Sequence, residues 1–221
     1  MWKKLPVLFT LLLPFSPAGA YGYDDTIVGV QLDWNRYDST LNMGATQHET
    51  RLTHVSMVLY EPSWRYLYGG LRVGYADVSQ PDNPDLAGLH LYGNSLGILL
   101  GMFLMRNDYL DINFQGDYSY LQTSSRKEEQ EADFNWAETN FQLGAKLKLG
   151  LLRLSGATYR YGINGDQKLR GDINSTTRFG EAEKTGTSIG IELQVDPTGY
   201  VGIHAENGAR EGVRMLFTRE F

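Results

Sequence analysis

Apolar and polar residues alternate along most of this chain with a period of two. From Leu110 to Tyr120, one parity holds Leu110, Ile112, Phe114, Tyr118 and Tyr120, and the other holds Asp111, Asn113, Gln115, Asp117 and Ser119. A helix would scatter these residues round its circumference, whereas a strand sorts them onto two faces. Phe141, Leu143, Ala145, Leu147 and Leu149 alternate in the same way with Asn140, Gln142, Gly144, Lys146 and Lys148. The pattern predicts ten antiparallel strands, roughly 26–36, 50–60, 66–77, 94–105, 109–121, 136–149, 151–162, 185–195, 199–206 and 211–221. Eight is the alternative if two short strands are misread. The segment Leu152–Tyr161 breaks phase, because Leu152 and Leu154 start on one parity and Tyr159 and Tyr161 fall on the other; a bulge near Gly156 is the expected repair.

Connections alternate between long (37–49, 78–93, 122–135, 163–184) and short (Glu61–Arg65, Arg106–Asp108, Gly150, Asp196–Thr198). An even number of strands with long turns at one end and short turns at the other describes an up-and-down transmembrane β-barrel whose short turns face the periplasm. Closure follows from the solvent, since no backbone polar group can go unpaired in hydrocarbon. A soluble barrel also alternates, with its apolar face inward. Two groups of aromatics near the strand ends favour the membrane reading: Trp34, Tyr37, Tyr92, Tyr118, Tyr120 and Trp136 toward the outer interface, and Tyr60, Trp64, Tyr66, Tyr109, Tyr200 and Phe221 toward the periplasmic one.

The ends of the chain agree. Lys3 and Lys4, the apolar stretch Leu5–Phe15 and Ala18-Gly19-Ala20 form a secretory signal peptide, so residues 1–20 are expected to be removed and 21–221 to form one barrel domain in the outer membrane. The last strand places Val213, Met215, Phe217, Arg219 and Phe221 on one face. Its terminal Phe221, with Phe217 behind it, resembles the signal read by the bacterial barrel assembly machinery, although Arg219 stands where an apolar residue is usual. Across the whole mature chain the architecture resembles the small outer-membrane β-barrel proteins of Gram-negative bacteria, the OmpX-like and opacity-type group. That resemblance implies an integral membrane protein of structural, adhesive or unassigned role.

Composition removes other classes. The chain has no cysteine, so disulfides and thiolate metal sites are excluded, and its net charge of -6 argues against nucleic acid. No cofactor is implied. The charge that matters faces the lumen: Arg72, Lys146, Lys148, Arg153 and Arg214 against Asp33, Asp111, Asp117, Glu138, Glu192, Glu206 and Glu220. In a narrow barrel these groups must pair or hold water, which predicts a lumen filled by its own side chains. The competing function is a narrow, porin-like path for ions or small solutes, and the second alternative is an enzyme acting on lipid A or peptides. His54 and Ser56 have the His-x-Ser spacing that resembles outer-membrane lipid A deacylases, but they lie in the second strand and face inward, so no catalysis is expected of them. His204 and Glu206 invite comparison with the omptin proteases, without the Asp pair that family uses. The expected partners are outer-membrane lipid, lipopolysaccharide and the assembly machinery; no partner protein is indicated. The mixed-charge run Arg126–Glu131 reads as a solvated loop, and Lys168, Arg170 and Arg178 are candidates for a phosphate-binding rim.

Overall fold

A computed structural model describes residues 28–221 except 65, 87, 88, 128, 129, 172 and 173, and leaves the side chains of residues 62–64 undescribed. The expected signal peptide and the Trp64 side chain lie outside the described residues. Eleven strands follow in order: β1 Gly29–Met43, β2 Thr46–Trp64, β3 Leu67–Ser79, β4 Leu91–Arg106, β5 Leu110–Lys127, β6 Gln130–Leu149, β7 Leu152–Arg170, β8 Ser175–Glu181, β9 Thr185–Gln194, β10 Gly199–Gly208 and β11 Glu211–Glu220. All ten expected strands are present. β8 is an addition, and most of the expected long loops are strand.

Every neighbouring pair is antiparallel, and β11 returns to β1, so the sheet closes. A ladder followed once round the ring, from Ala145 through Gly156, Ile189, Ala205, Val213, Arg36, Thr53, Asp77, Tyr92 and Ser124, comes back to β6 at Asp133. That is a shear of twelve residues for ten strands, which tilts the strands by about 40°. The connections β2–β3, β4–β5, β6–β7 and β9–β10 are short and share one end of the barrel with both ends of the described chain, where the Phe221 amide donates to the Val28 carbonyl at 2.9 Å.

The strands differ in length, and the difference shapes the molecule. β6 and β7 pair without interruption from Glu131↔Arg170 to Leu149↔Leu152, about 45 Å of barrel height. β9, β10 and β11 have ten residues each, about 25 Å, which matches the apolar band of a membrane barrel. Above their upper ends the wall would be open. β8 fills that gap, pairing with β7 from Asn164 to Leu169 and with β1 from Leu41 to Met43. The ring therefore has ten strands at its base and eight, β1 to β8, at its outer rim. Hydrogen bonds close the seam between the two levels, among them Ala182 N to Thr40 O at 3.0 Å, Tyr161 N to Lys184 O at 2.7 Å, and Ser39 Oγ to Ala209 O at 2.9 Å.

The extended wall follows from an inversion of the polar pattern on an unbroken pleat. On β1, Leu32 and Trp34 face out low in the wall while Asp33 faces in; higher up, Leu41 and Met43 face in while Thr40 and Asn42 face out. β6 repeats this, with Phe141 and Leu143 outward and Phe134 and Trp136 inward. In lipid the outside must be apolar; above lipid the outside meets water and the inside becomes the core. The same inversion explains β7. Its register against β6 has no shift at Gly156, so there is no bulge, and Tyr159 and Tyr161 do face inward. Bulges occur instead at Pro62/Trp64 and Phe103/Met105.

Candidate functional site: a lumen closed by two stacked plugs

The lower lumen is polar because lipid claims the outer face. The inward charges are matched. Arg214 Nη2 lies 2.9 Å from Asp33 Oδ2, Arg72 Nη2 3.1 Å from Asp117 Oδ1, Lys148 Nζ 2.8 Å from Asp111 Oδ1, and Arg153 Nη1 3.7 Å from Glu220 Oε1. Glu192 accepts from Lys146 at 2.9 Å and lies 3.5 Å from His204 Nε2. Arg153 also covers the Tyr200 ring at 3.4 Å from its centroid. Glycines make room for the larger groups. A Cβ at Gly74 would meet His54 and Ser95, and one at Gly93 would overlap the Gln122 carbonyl, so neither position accepts a side chain without moving the wall.

Arg210 caps this layer. The turn joining β10 and β11 folds inward, burying Ala209 and holding Arg210 Nε 2.9 Å from Glu206 Oε2. The guanidinium sits 4.7 Å, 4.9 Å and 5.5 Å from the ring centroids of Tyr159, Tyr161 and Tyr37. Glu138 takes its partners from neutral donors, the Trp136 indole N–H at 2.8 Å and the Tyr37 hydroxyl at 3.5 Å. A cavity of about 40 Å³ lies among Arg72, Asp117, Glu138, Arg210 and Arg214. The Asn35 and Asn140 side-chain oxygens, Ser119 Oγ and Arg72 Nε, which lack protein partners, belong to residues lining it. That volume suits roughly two or three waters, not a solute.

Above Glu138 the interior becomes mainly apolar, with Thr50, Thr123 and Gln167 buried among its side chains. Tyr37, Leu41, Met43, Leu52, Val78, Leu121, Phe134, Trp136, Leu169 and Phe179 pack across the ring as one core, and Phe134 and Trp136 meet Phe179 at centroid distances of 5.4 Å and 6.3 Å. The segment between β3 and β4 folds over the mouth and adds Leu86 and Leu89 to this core. Gln80 donates to Thr50 Oγ1 at 2.8 Å, and the Glu49 amide donates to Asp82 Oδ2 at 3.2 Å, which tie the segment down. A cavity lined by the core measures about 20 Å³, room for roughly a single water.

The expected lumen residues Arg72, Asp111, Asp117, Glu138, Lys146, Lys148, Arg153, Glu192, Arg214 and Glu220 all point inward. Four expected interface aromatics do not face lipid: Trp136 and Tyr37 belong to the apolar plug, Tyr200 is buried beneath Arg153, and Tyr60 fills the space beside Gly29. Trp34, Tyr109 and Tyr120 are exposed on the outside, as is Phe221, while Phe217 faces out half-buried. His54 bonds Ser95 Oγ on β4 at 2.7 Å rather than Ser56, inside the closed lumen. Of the candidate phosphate rim, Lys168 pairs with Asp166 at 3.2 Å and Arg170 lies 3.5 Å from both Glu131 and Asp133, which leaves Arg178 outward on β8. Arg210 was hidden from sequence reading because it sits in a turn, where cations are ordinarily solvated. At the short turn between β9 and β10, the Thr198 amide bonded to Asp196 holds that carboxyl below its usual range.

No family model matches the chain, and no curated protein matches it by sequence. Solved structures do match. The outer-membrane protease OmpT of Escherichia coli aligns over 93% of this chain and 97% of its own at 8% identity, with a TM-score of 0.55. The translocator domain of the autotransporter NalP of Neisseria meningitidis aligns over 90% of each chain at 12% identity (TM-score 0.48), and an outer-membrane channel of Pseudomonas putida F1 over 93% and 99% at 9% identity (TM-score 0.45). The fold is that of the Gram-negative outer-membrane β-barrels: all-β, antiparallel and up-and-down, with ten strands in the membrane ring. A shared fold does not fix an activity, so function must come from the site.

Proposed function

We propose that this protein is an integral outer-membrane barrel that neither conducts nor catalyses, and that its work is done by its outer wall and rim. The observation that supports this reading is the apolar core filling the outer barrel from Tyr37 to Phe179, stacked on the paired charges below. An ion crossing the lumen would have to break buried ion pairs and then enter a dry hydrocarbon layer, each step costing several kcal/mol. The titratable groups gathered in the lumen lie behind that layer, while those at the rim pair with one another on the surface, as His48 does with Asp82 at 3.7 Å and Arg51 with Asp38 at 2.8 Å. The chain is exported by a signal peptide cleaved before Tyr21, and Phe221 serves as the assembly signal, exposed for recognition and held by one backbone hydrogen bond. Planar-bilayer recording of the purified, folded barrel tests the proposal. It predicts a flat baseline; a stable open level whose ion preference reverses with Lys146→Glu and Lys148→Glu would establish a channel instead. Mass spectrometry of the membrane-extracted chain tests the cleavage site.

A further inference from the structure

The outer face of the barrel is uneven at the level where the wall leaves the hydrocarbon. On β7 and β1 this level carries outward cations, Arg160 and Arg36. On β2 to β5 two adjacent cross-strand rows, Val55-Tyr75-Asn94-Gln122 and Thr53-Asp77-Tyr92-Ser124, contain no cation at all. Tyr75 and Tyr92 are about half exposed, and their rings lie within 14° of parallel with centroids 6.4 Å apart. His90 continues the series, 6.2 Å from Tyr92 and within 18° of parallel. Round these three rings stand polar side chains with no hydrogen bond among the described residues: the exposed Asn94 and Gln122 and the half-buried Asp77, whose Oδ1, like Asn135 Oδ1 one strand beyond Gln122, is itself closed to solvent.

We propose that this patch binds the uncharged sugar residues of the surrounding outer-leaflet glycolipid. The C–H faces of a sugar ring rest on exposed aromatic faces, and its adjacent hydroxyls are matched by planar amides and carboxylates, which accept and donate in one plane. Phosphate would call for a guanidinium or ammonium; the rows from β2 to β5 offer none, Arg36 lies beyond Thr53 at their β1 end, and Arg51 above Thr53 is held by Asp38 at 2.8 Å. Position selects the glycolipid over a free glycan. The rows begin directly above Leu96, Ile98 and Tyr120, so a lipid whose acyl chains lie on those residues carries its sugars past Tyr75 and Tyr92. An interfacial tyrosine belt alone needs neither the unpaired carboxylate nor the row of amides.

The inference rests on the reading that the outer wall does the work, and it is tested without reference to conductance. Native mass spectrometry of the full chain, released from membranes and re-equilibrated with intact glycolipid, with the same glycolipid stripped of phosphate, or with its free oligosaccharide, reads retention. Tyr92→Leu and Asp77→Asn should each lower retention of the intact glycolipid by about tenfold, and phosphate removal should leave it nearly unchanged. The free oligosaccharide should bind far more weakly. Heat-modifiable migration checks folding; should a variant misfold, Asn94→Ala with Gln122→Ala, exposed side chains without partners, replaces it. Retention indifferent to these substitutions overturns the proposal. So does loss on dephosphorylation, which would mark a phosphate site, or equal binding of free oligosaccharide, which would mark an external glycan.

Discussion

A side chain on this barrel is governed by what lies outside it at its own height. Ile98 is half exposed near the middle of the apolar belt, so Ile98→Arg should cost about 2–4 kcal/mol in refolding into lipid vesicles. A loss no larger than that of Ile98→Ala would place the residue outside hydrocarbon. Asp33 and Arg214 face in at 2.9 Å, with the aspartate almost wholly buried. Arg214→Met alone should cost about 3–5 kcal/mol by leaving a buried carboxylate unpaired, while Arg214→Met with Asp33→Leu should recover most of it. Equal losses in the single and double variants would show that the pair is not coupled. Phase made the facing of Asp33 and Arg214 legible in the sequence. Their mutual pairing was not, because β1 and β11 meet only through closure of the ring.

At the scale of the strand, sequence patterning showed ten elements and their membrane-facing parity, because lipid imposes one rule on all of them; on β7 the expected parity reaches only as far as Gly156, since the expected bulge is absent and Tyr159 and Tyr161 face inward. The missing upper halves obeyed the same period with the opposite polarity. Leu41, Phe134 and Leu169 therefore read as loop residues, although they alternate as cleanly as Val30 or Leu143. Trp136 was misplaced for the same reason: tryptophan near a strand end suggests an interface, but here the strand continues and the ring turns inward. The short β8 had no signal of its own, since only Phe179 marks its buried face and its need arises from the shortness of β9 to β11. If the outer barrel packs as a core, Phe134→Ala should cost about 3–5 kcal/mol and expose the outer hairpins to protease. A cost below that of an exposed substitution such as Gln122→Ala would mean that the outer barrel is not packed as a core.

As a whole the molecule is a ten-stranded membrane ring that narrows to an eight-stranded outer barrel, plugged by charge pairs below and by hydrocarbon above. Its assembly is expected to depend on Phe221. Deleting that residue removes one backbone hydrogen bond and little core, so folding of purified chain into vesicles should be nearly unchanged while folded barrel in cells falls sharply; unchanged cellular levels would contradict an assembly role. The absence of cysteine makes the most direct test of the closed lumen clean. Single nitroxide labels are placed in turn at every position of β6, from Glu131 to Leu149, in lipid bilayers, and their collisions with molecular oxygen and with a water-soluble nickel chelate are measured. The account predicts period-two behaviour throughout. Odd positions should meet the chelate near Glu131–Asn135 and oxygen near Phe141–Leu149, and even positions from Ala132 to Gly144 should meet neither. Chelate contact at the even positions Phe134, Trp136 and Glu138 would mean an open, water-filled lumen and would contradict it.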